Sequence, residues 1–455
     1  MTYILNIAEK DSRCQELIHQ IEECESLAKM IWTIFHFVFV LGRKIVEAEL
    51  AKRAQRATQW PSCPKCGKKL RSKGFVGRRI MTIFGEIKWK RRVGRCPNGC
   101  HIGQIAPLDQ ELGLSAYQSV SVELKYIACI LAVFVPYQTA AVILSKLLPI
   151  QVNAMSIWKW VQQYGKIAIA KLDGELENLA QGILPPIEIL SKNIFQLPLI
   201  IGADGVKVPF RAFGGSPIGK IVWREVKVGV LARLGQHIKR NGEVIPRLAQ
   251  RRLVAVLGSI DILQPRLWLE ALRQGVLEAK PVVWISDGGK GFWKLFARCF
   301  SSLAIGILDF YHAVQNLWKA AAAWLDGRTK AARLWFLTAR HQLRHDSLDQ
   351  ILISISKALF FDTLSDDARR TLHNLYDYLS AHHEHTHYSL FKDLIGLPIG
   401  SGIVESACKW LIQQRFKGVG MRWSEEGFNN LLHLRLAWVN GRFDDLFFPT
   451  SLSPN

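Results

Sequence analysis

Acidic residues are scarce in this 455-residue chain: 38 Asp+Glu stand against 59 Lys+Arg, a formal net charge of +21. The excess of basic over acidic residues argues for a polyanionic partner, most often nucleic acid. It is sharpest between Cys63 and Cys100. There Lys65, Lys68, Lys69, Arg71, Lys73, Arg78, Arg79, Lys88, Lys90, Arg91, Arg92 and Arg95 face a single acid, Glu86. Long apolar runs are missing too. MIWTIFHFVFVLG and YIACILAVFVPY both fall short of the roughly 20 residues that cross a bilayer, so no membrane partner is expected. The opening MTYILNIAEKDSRC is polar and acidic by its second turn and does not read as a secretory leader. A cytoplasmic location is expected, where nine cysteines serve as reduced thiols or metal ligands.

What is present is a globular composition, 49% hydrophobic and 21% charged, long enough for several domains. Residues 1–60 read as helical: ECESLAKMIWTIFHFVFVLGRKIVEAELAKRAQRA has no proline and many good helix formers. Residues 61–106 read as a zinc ribbon. Cys63 and Cys66 form C-x2-C, Cys96 and Cys100 form C-x3-C, and IMTIFGEIKWKRRV between them alternates like a β-hairpin. Four thiolates on two turns around a hairpin is the ligand arithmetic of a structural zinc site. A zinc-braced basic hairpin, with Lys88, Lys90, Arg91 and Arg92 on it, could clamp a phosphate backbone. Residues 107–175 read as helical. PYQTAAVILSKLLPIQVNAMSIWKWVQQYGKIA fits a helix-turn-helix, with Trp158, Lys159 and Gln162 or Gln163 on the second helix, or equally a plain helical hairpin.

After the linker ILPPIEILSKNIFQLP the period changes. Residues 195–318 read as three strands, a helix, a strand, a short helix and a strand, an α/β arrangement. Asp204 follows LIIGA and Asp287 follows VVWIS, both at or just past strand ends, where open α/β sheets bind ligands. Two Asp-Gly turns would look the same. Glu405 opens a late helix after IGSGIV, within residues 399–445. Carboxylates brought together from two strands and a helix would suit Mg²⁺, a hard cation; spacing alone does not bring them together.

Several blocks carry a family resemblance: ADGVKVP around Asp204, WISDGGKGFW around Asp287, ILDFYHAVQNLW around Asp309, then LPIGSGIVESACK and GVGMRWSEEGFNNLLHLR. With CPKCG, RCPNGC and APLDQELGL upstream, they resemble the DDE-type bacterial insertion-sequence transposases of the Mutator-like group, in the branch named after Kra elements. The resemblance implies an α/β fold with a ribonuclease-H-like catalytic core. That core would be interrupted by an all-α insertion at 319–398 and preceded by the zinc ribbon and a helical DNA-binding region. It implies that Asp204, Asp287 and Glu405 hold two Mg²⁺ ions, and that Asp309 and His312 match the family's D-x-x-H motif. Asp309 could equally be a helix cap. Trp423 resembles an aromatic near the family's site and could stack on a base or sit in the core. Arg415, Lys417 and Arg422 beside it could follow phosphates or form a solvated face.

The expected activity is therefore Mg²⁺-dependent DNA strand cleavage and strand transfer at the ends of the chain's own insertion sequence. Its partner is double-stranded DNA, the terminal inverted repeats and the target. Two ends must be held together, so a homo-oligomer on DNA is expected, in the nucleoid of a bacterial cytoplasm. The alternatives are an element-derived DNA-binding regulator without catalysis and a ribonuclease-H-like nuclease without strand transfer. Two other motifs read as decoys. GGSPIGKI, 214–221, satisfies G-x-x-x-x-G-K but ends in Ile and precedes a strand, which removes the phosphate cradle. HHEHTHY, 382–388, contains H-E-x-x-H, yet falls at a probable helix end, whereas a zinc peptidase needs it inside a helix.

Overall fold

The computed structural model describes residues 2–212, 219–362 and 364–448. Most of GGSPIGKI, residues 214–218, lies outside them. The chain divides into two compact units, one built of residues up to Gln163 together with Phe447 onward, the other of Tyr164–Leu446. Among the described residues no helix is long and apolar enough to cross a membrane.

The first unit opens with α1 (Thr2–Lys10), α2 (Ser12–Glu22) and α3 (Leu27–Ala54). Asp11 and Ser26 cap the last two by accepting from the N–H groups of Cys14 and Lys29, the arrangement that satisfies otherwise orphaned donors. Strands β1 (Arg71–Thr82) and β2 (Gly85–Arg95) form an antiparallel hairpin closed by Ile83 and Phe84. The period-2 alternation of β2 is explicit. Ile87, Trp89, Arg91 and Val93 face inward and are buried, while Lys88 and Lys90 are exposed. Leu50 and Ala54 of α3 pack on Ile80, Ile87 and Trp89, joined by Leu108 of α4 (Pro107–Glu111). Helices α5 (Val122–Phe134) and α6 (Tyr137–Leu147) follow. Helix α7 (Ala154–Ala180) starts two residues before Ser156, because the Asn153 side chain accepts from the Ser156 N–H at 2.8 Å. It carries residues of both units. Trp158, Lys159 and Gln163 are exposed on it and Gln162 is buried.

In the second unit, α8 (Lys192–Phe195) leads into β3 (Leu199–Phe210), β4 (Val222–Ile238) and β5 (Val244–Leu257). Then come α9 (Ile260–Arg273), β6 (Val282–Ser286), α10 (Lys290–Cys299) and β7 (Ala304–Leu308). The order β-β-β-α-β-α-β expected from the sequence is present. These strands make one mixed sheet in the order β5-β4-β3-β6-β7. β3, β4 and β5 pair antiparallel, and β3, β6 and β7 pair parallel. The parallel half is covered on both faces, so its strands are continuous apolar runs: every residue of Val282–Ser286 is buried. β4 runs on to Ile238. Gln236, His237 and Ile238 there are exposed, so no inward–outward alternation marks them.

Between β7 and the late helix the chain is helical: α11 (Phe310–Leu325), α12 (Lys330–Arg344), α13 (Leu348–Leu359) and α14 (Asp366–Ala381). Their buried faces, through Leu317, Leu343, Ile351 and Leu375, join the same hydrophobic cluster as the sheet. The chain then makes α15 (Gly402–Ala407), a π-helical stretch Cys408–Gln413, α16 (Gln414–Phe416) and α17 (Glu425–Val439).

Candidate active site

The parallel register places three acids in one row. Ala203 of β3 pairs with Ser286 of β6, and Ser286 pairs with Leu308 of β7. Asp204 is the next residue in β3, and Asp287 and Asp309 are the first residues past the ends of β6 and β7. The sequence suggested that Asp204 lies at a strand end; β3 instead continues to Phe210. What ends at Ala203 is the pairing with β6. The edge is therefore a step in the sheet, made because β3 runs on beside β4 after β6 has turned away.

Each acid has a different setting. Asp204 is half-buried and accepts the Gly205 N–H at 2.6 Å. Burial, and then the negative charge of Asp287, push its carboxyl above the usual range. Asp287 Oδ1 accepts the N–H of Gly289 at 3.0 Å, which shapes the Asp-Gly-Gly turn. Asp309 is buried. Oδ1 caps α11 by accepting the His312 N–H at 2.9 Å. Oδ2 accepts the Ser401 N–H at 2.6 Å, the Ser401 hydroxyl as well, and faces His312 Nδ1 at 3.3 Å. Burial alone would raise the Asp309 pKa, but the hydrogen bonds from His312 and Ser401 outweigh it and hold it at about 2. His312 is raised in turn by its bond to Asp309 and by the charges of Asp287 and Asp204. Its side chain is half-exposed beside Asp309.

Glu405 stands on α15, which lies against β3, but its carboxylate is not gathered with those of Asp204 and Asp287 into a metal-sized group. Val404 lies against Gly202 of β3, where an added Cβ would come within 2.4 Å of Val404 Cγ2. Only glycine lets α15 lie this close to the strand. The buried Cys408 thiol, pushed up to about 12 by burial, also feels the charges of Asp204 and Glu405. The Glu405 carboxylate is itself exposed and pairs with Lys409 at 2.7 Å.

The residues expected to touch DNA divide by burial. Lys88, Lys90, Lys159, Lys417 and Arg422 are exposed. Arg92 lies over the Phe75 ring at 5.3 Å. Arg91 does not reach outward: it is 3% exposed, bonds Asp109 at 3.1 Å and donates to the carbonyls of Val76 and Gly77. Arg415 is also internal, 2% exposed, with its guanidinium over the Trp423 ring. Trp423 is half-buried. Its Nε1–H donates to Phe416 O at 3.0 Å, its ring packs on Phe416 and Phe428, and its backbone bridges Phe210. These contacts pack one side of it against the buried Phe416 and Phe428.

Cys63, Cys66, Cys96 and Cys100 bring their sulfurs within 4.8 Å of one another. Gly67 and Gly99, both at positive φ, complete the two turns that present them. Four Zn–S bonds of about 2.3 Å set sulfurs roughly 3.8 Å apart, so the cluster fits a zinc ion. Among the described residues it is the one group of His, Cys, Asp or Glu side chains gathered closely enough to hold a metal. The HHEHTHY stretch makes no such group. It follows the end of α14 as a single 3-10 turn, His383–His385, with His383 bonded to Asp349 at 3.1 Å.

Ser401 and Trp293 were not singled out in the sequence. Ser401 had a signal, since a serine just before a helix is a capping position; that its partner would be Asp309, 92 residues away, had none.

The second unit is thus an α/β unit whose mixed sheet carries a row of acids beside a helix-borne glutamate. No protein-family model matches the chain, and no curated protein matches it. Among solved structures, it is similar to a chain titled "Drosophila P element transposase strand transfer complex", at 11% identity and a TM-score of 0.27. The match covers 74% of this chain and 82% of that one.

Proposed function

We propose that this chain is a DNA transposase that binds the ends of its own insertion sequence and carries out strand cleavage and strand transfer with Asp204, Asp287 and Glu405. The observation that carries the reading is the register. Asp204, Asp287 and Asp309 occupy one row across β3, β6 and β7, and Glu405 stands on the helix that Gly202 admits to β3. The strand order and the long helical segment before α15 suit a ribonuclease-H-like core with an all-α insertion. The sequence blocks around the same residues favour the DDE group.

The donor set suits Mg²⁺. It consists of carboxylate oxygens, and the Asp204 carboxylate, disfavoured first by burial and then by the charge of Asp287, would be favoured by a divalent cation. Asp204, Asp287 and the exposed Glu405, released from Lys409, would hold the metal. Bound there, two such ions stabilise the attacking and leaving oxygens of an in-line phosphoryl displacement. The remaining work falls to the chain. Asp309 fixes the start of the Glu405 helix through Ser401. His312, whose protonated form Asp309 favours, offers a donor to a phosphate oxygen. The exposed Lys88, Lys90, Lys159, Lys417 and Arg422 and the half-buried Arg92 supply counter-charge along the duplex, and the four cysteines would hold a zinc that braces the hairpin. Holding two ends calls for a homo-oligomer on DNA.

The test is incubation of the purified chain with duplexes carrying the ends of its element and Mg²⁺. The expected products are nicks that leave a 3′-hydroxyl, followed by joined target strands, and none of either with Asp287→Ala. Equal nicking by Asp287→Ala would overturn the assignment. Nicking without joining would reduce it to a nuclease.

A further inference from the structure

Two histidines of the HHEHTHY stretch pack on one side chain. The Trp293 indole of α10 stacks on His385 with ring centres 4.3 Å apart, and His382 lies at 4.6 Å from the same ring. His385 is itself anchored, its Nδ1 lying 3.1 Å from the carbonyl of Gly306 in β7. Gly306 is another position with no room: an added Cβ would meet His385 Nδ1 and the Phe296 ring at 2.9 Å. The indole N–H, so oriented, donates to the Asp287 carbonyl at 2.7 Å. One turn before His382 on α14, the Tyr378 ring covers the next residue, Gly288, so closely that an added Cβ would come within 1.9 Å of Cε2. Two contacts from the helical segment thus converge on the Asp287–Gly288 peptide, one through Trp293 and one direct.

We infer that His385 and Tyr378 are positioning residues that, with Trp293, fix the Asp287 turn in the orientation its carboxylate needs to bind a divalent cation. This rests on the metal-binding reading of Asp287 given above. A stacked indole cannot tilt without breaking its bond to Asp287 O, and a ring over Gly288 stops the turn from rising. Groups behind a metal ligand commonly set affinity by about 10- to 100-fold. The helical segment would therefore act on the site from behind.

The test measures Mn²⁺ binding by the full-length chain without DNA, from the loss of the free-ion electron paramagnetic resonance signal, beside the melting temperature. Trp293→Phe keeps the stack and removes the N–H donor; the expected result is about tenfold weaker Mn²⁺ binding. His385→Phe, which keeps a ring on Trp293 but drops the Gly306 bond, should weaken it less than His385→Ala. Gly288→Ala should abolish binding, and Gly288→Ala with Tyr378→Ala should recover part of it. Asp287→Asn is the control. If it binds Mn²⁺ like the parent, the reading of Asp287 fails. If it loses binding while Trp293→Phe and Gly288→Ala keep the parent affinity, only the positioning role is overturned, whatever the melting temperatures. Should Trp293→Phe fail to fold, the Gly288→Ala and Tyr378→Ala pair decides.

Discussion

Asp309 accepts both the backbone N–H and the hydroxyl of Ser401, although 92 residues separate them. One carboxylate thereby closes the end of β7, the first turn of α11 and the start of the Glu405 helix into a single joint. Both of its oxygens accept protein donors, whereas Asp204 and Asp287 each accept one neighbouring N–H through Oδ1.

Removing that joint should be costly. Asp309→Ala deletes a helix cap and leaves the Ser401 N–H unpaired, a loss of about 2–4 kcal/mol. Urea denaturation should show the midpoint falling with an unchanged slope. Ser401→Ala, which keeps the backbone N–H bond, should lose less.

The pH dependence follows from the same carboxylate. Its folded pKa is about 2, below the ordinary 3.8. A depressed acid stabilises the folded state above the unfolded value and loses that contribution as pH falls through the folded one. Roughly 2 kcal/mol should thus disappear between about pH 4 and pH 2, and Asp309→Asn should flatten the curve in that window.

Asp204 has the opposite sign. Its pKa is raised, first by burial and then by Asp287, so its ionisation disfavours the folded state as pH rises through 3.8 and beyond. Asp204→Asn keeps an oxygen for the Gly205 N–H and removes the charge. At neutral pH without divalent cation its melting temperature should equal or exceed that of the parent, while DNA nicking is lost. A lower melting temperature would contradict the burial argument.

Two neighbouring arginines should separate cleanly. Arg92→Ala removes a cation from the hairpin's outer region and should lower DNA affinity and the steepness of its salt dependence by about one counter-ion. Arg91→Ala breaks the buried pair with Asp109 and should destabilise the first unit by about 3–5 kcal/mol. Differential scanning calorimetry and salt-dependent binding would show each effect in its own variant.

Zinc analysis gives a further check. One zinc per chain is expected, released by chelator with loss of hairpin order, because metal binding at such sites is coupled to folding. Cys63→Ser should abolish it, and His383→Ala should leave it unchanged.

Much of this was legible in the linear chain because it rests on short-range rules. Cys-x2-Cys and Cys-x3-Cys flanking an alternating segment, apolar runs ending in Asp, and a change of hydrophobic period after residue 195 each reflect a local constraint of turn, pleat or helix. The fate of Arg91 was partly legible too. Ile87, Trp89, Arg91 and Val93 share one face by the two-residue period, so the pattern that marks the hairpin also turns that arginine inward; counting basic residues without their phase conceals it.

What the sequence by itself determined is the set of elements and the supply of chemistry: basic hairpin, four thiols, strand-borne aspartates and a helix-borne glutamate. Tertiary structure alone decided how those groups divide their work. Register across three strands, not spacing along one, puts Asp204, Asp287 and Asp309 in a row. Packing of distant segments, not motif, joins Asp309 to Ser401 and stacks His385 on the Trp293 indole that donates to the Asp287 carbonyl. The physical reason is that a side chain's role depends on which donors and acceptors reach it, and partners 92 or 79 residues away leave no periodic trace in the chain.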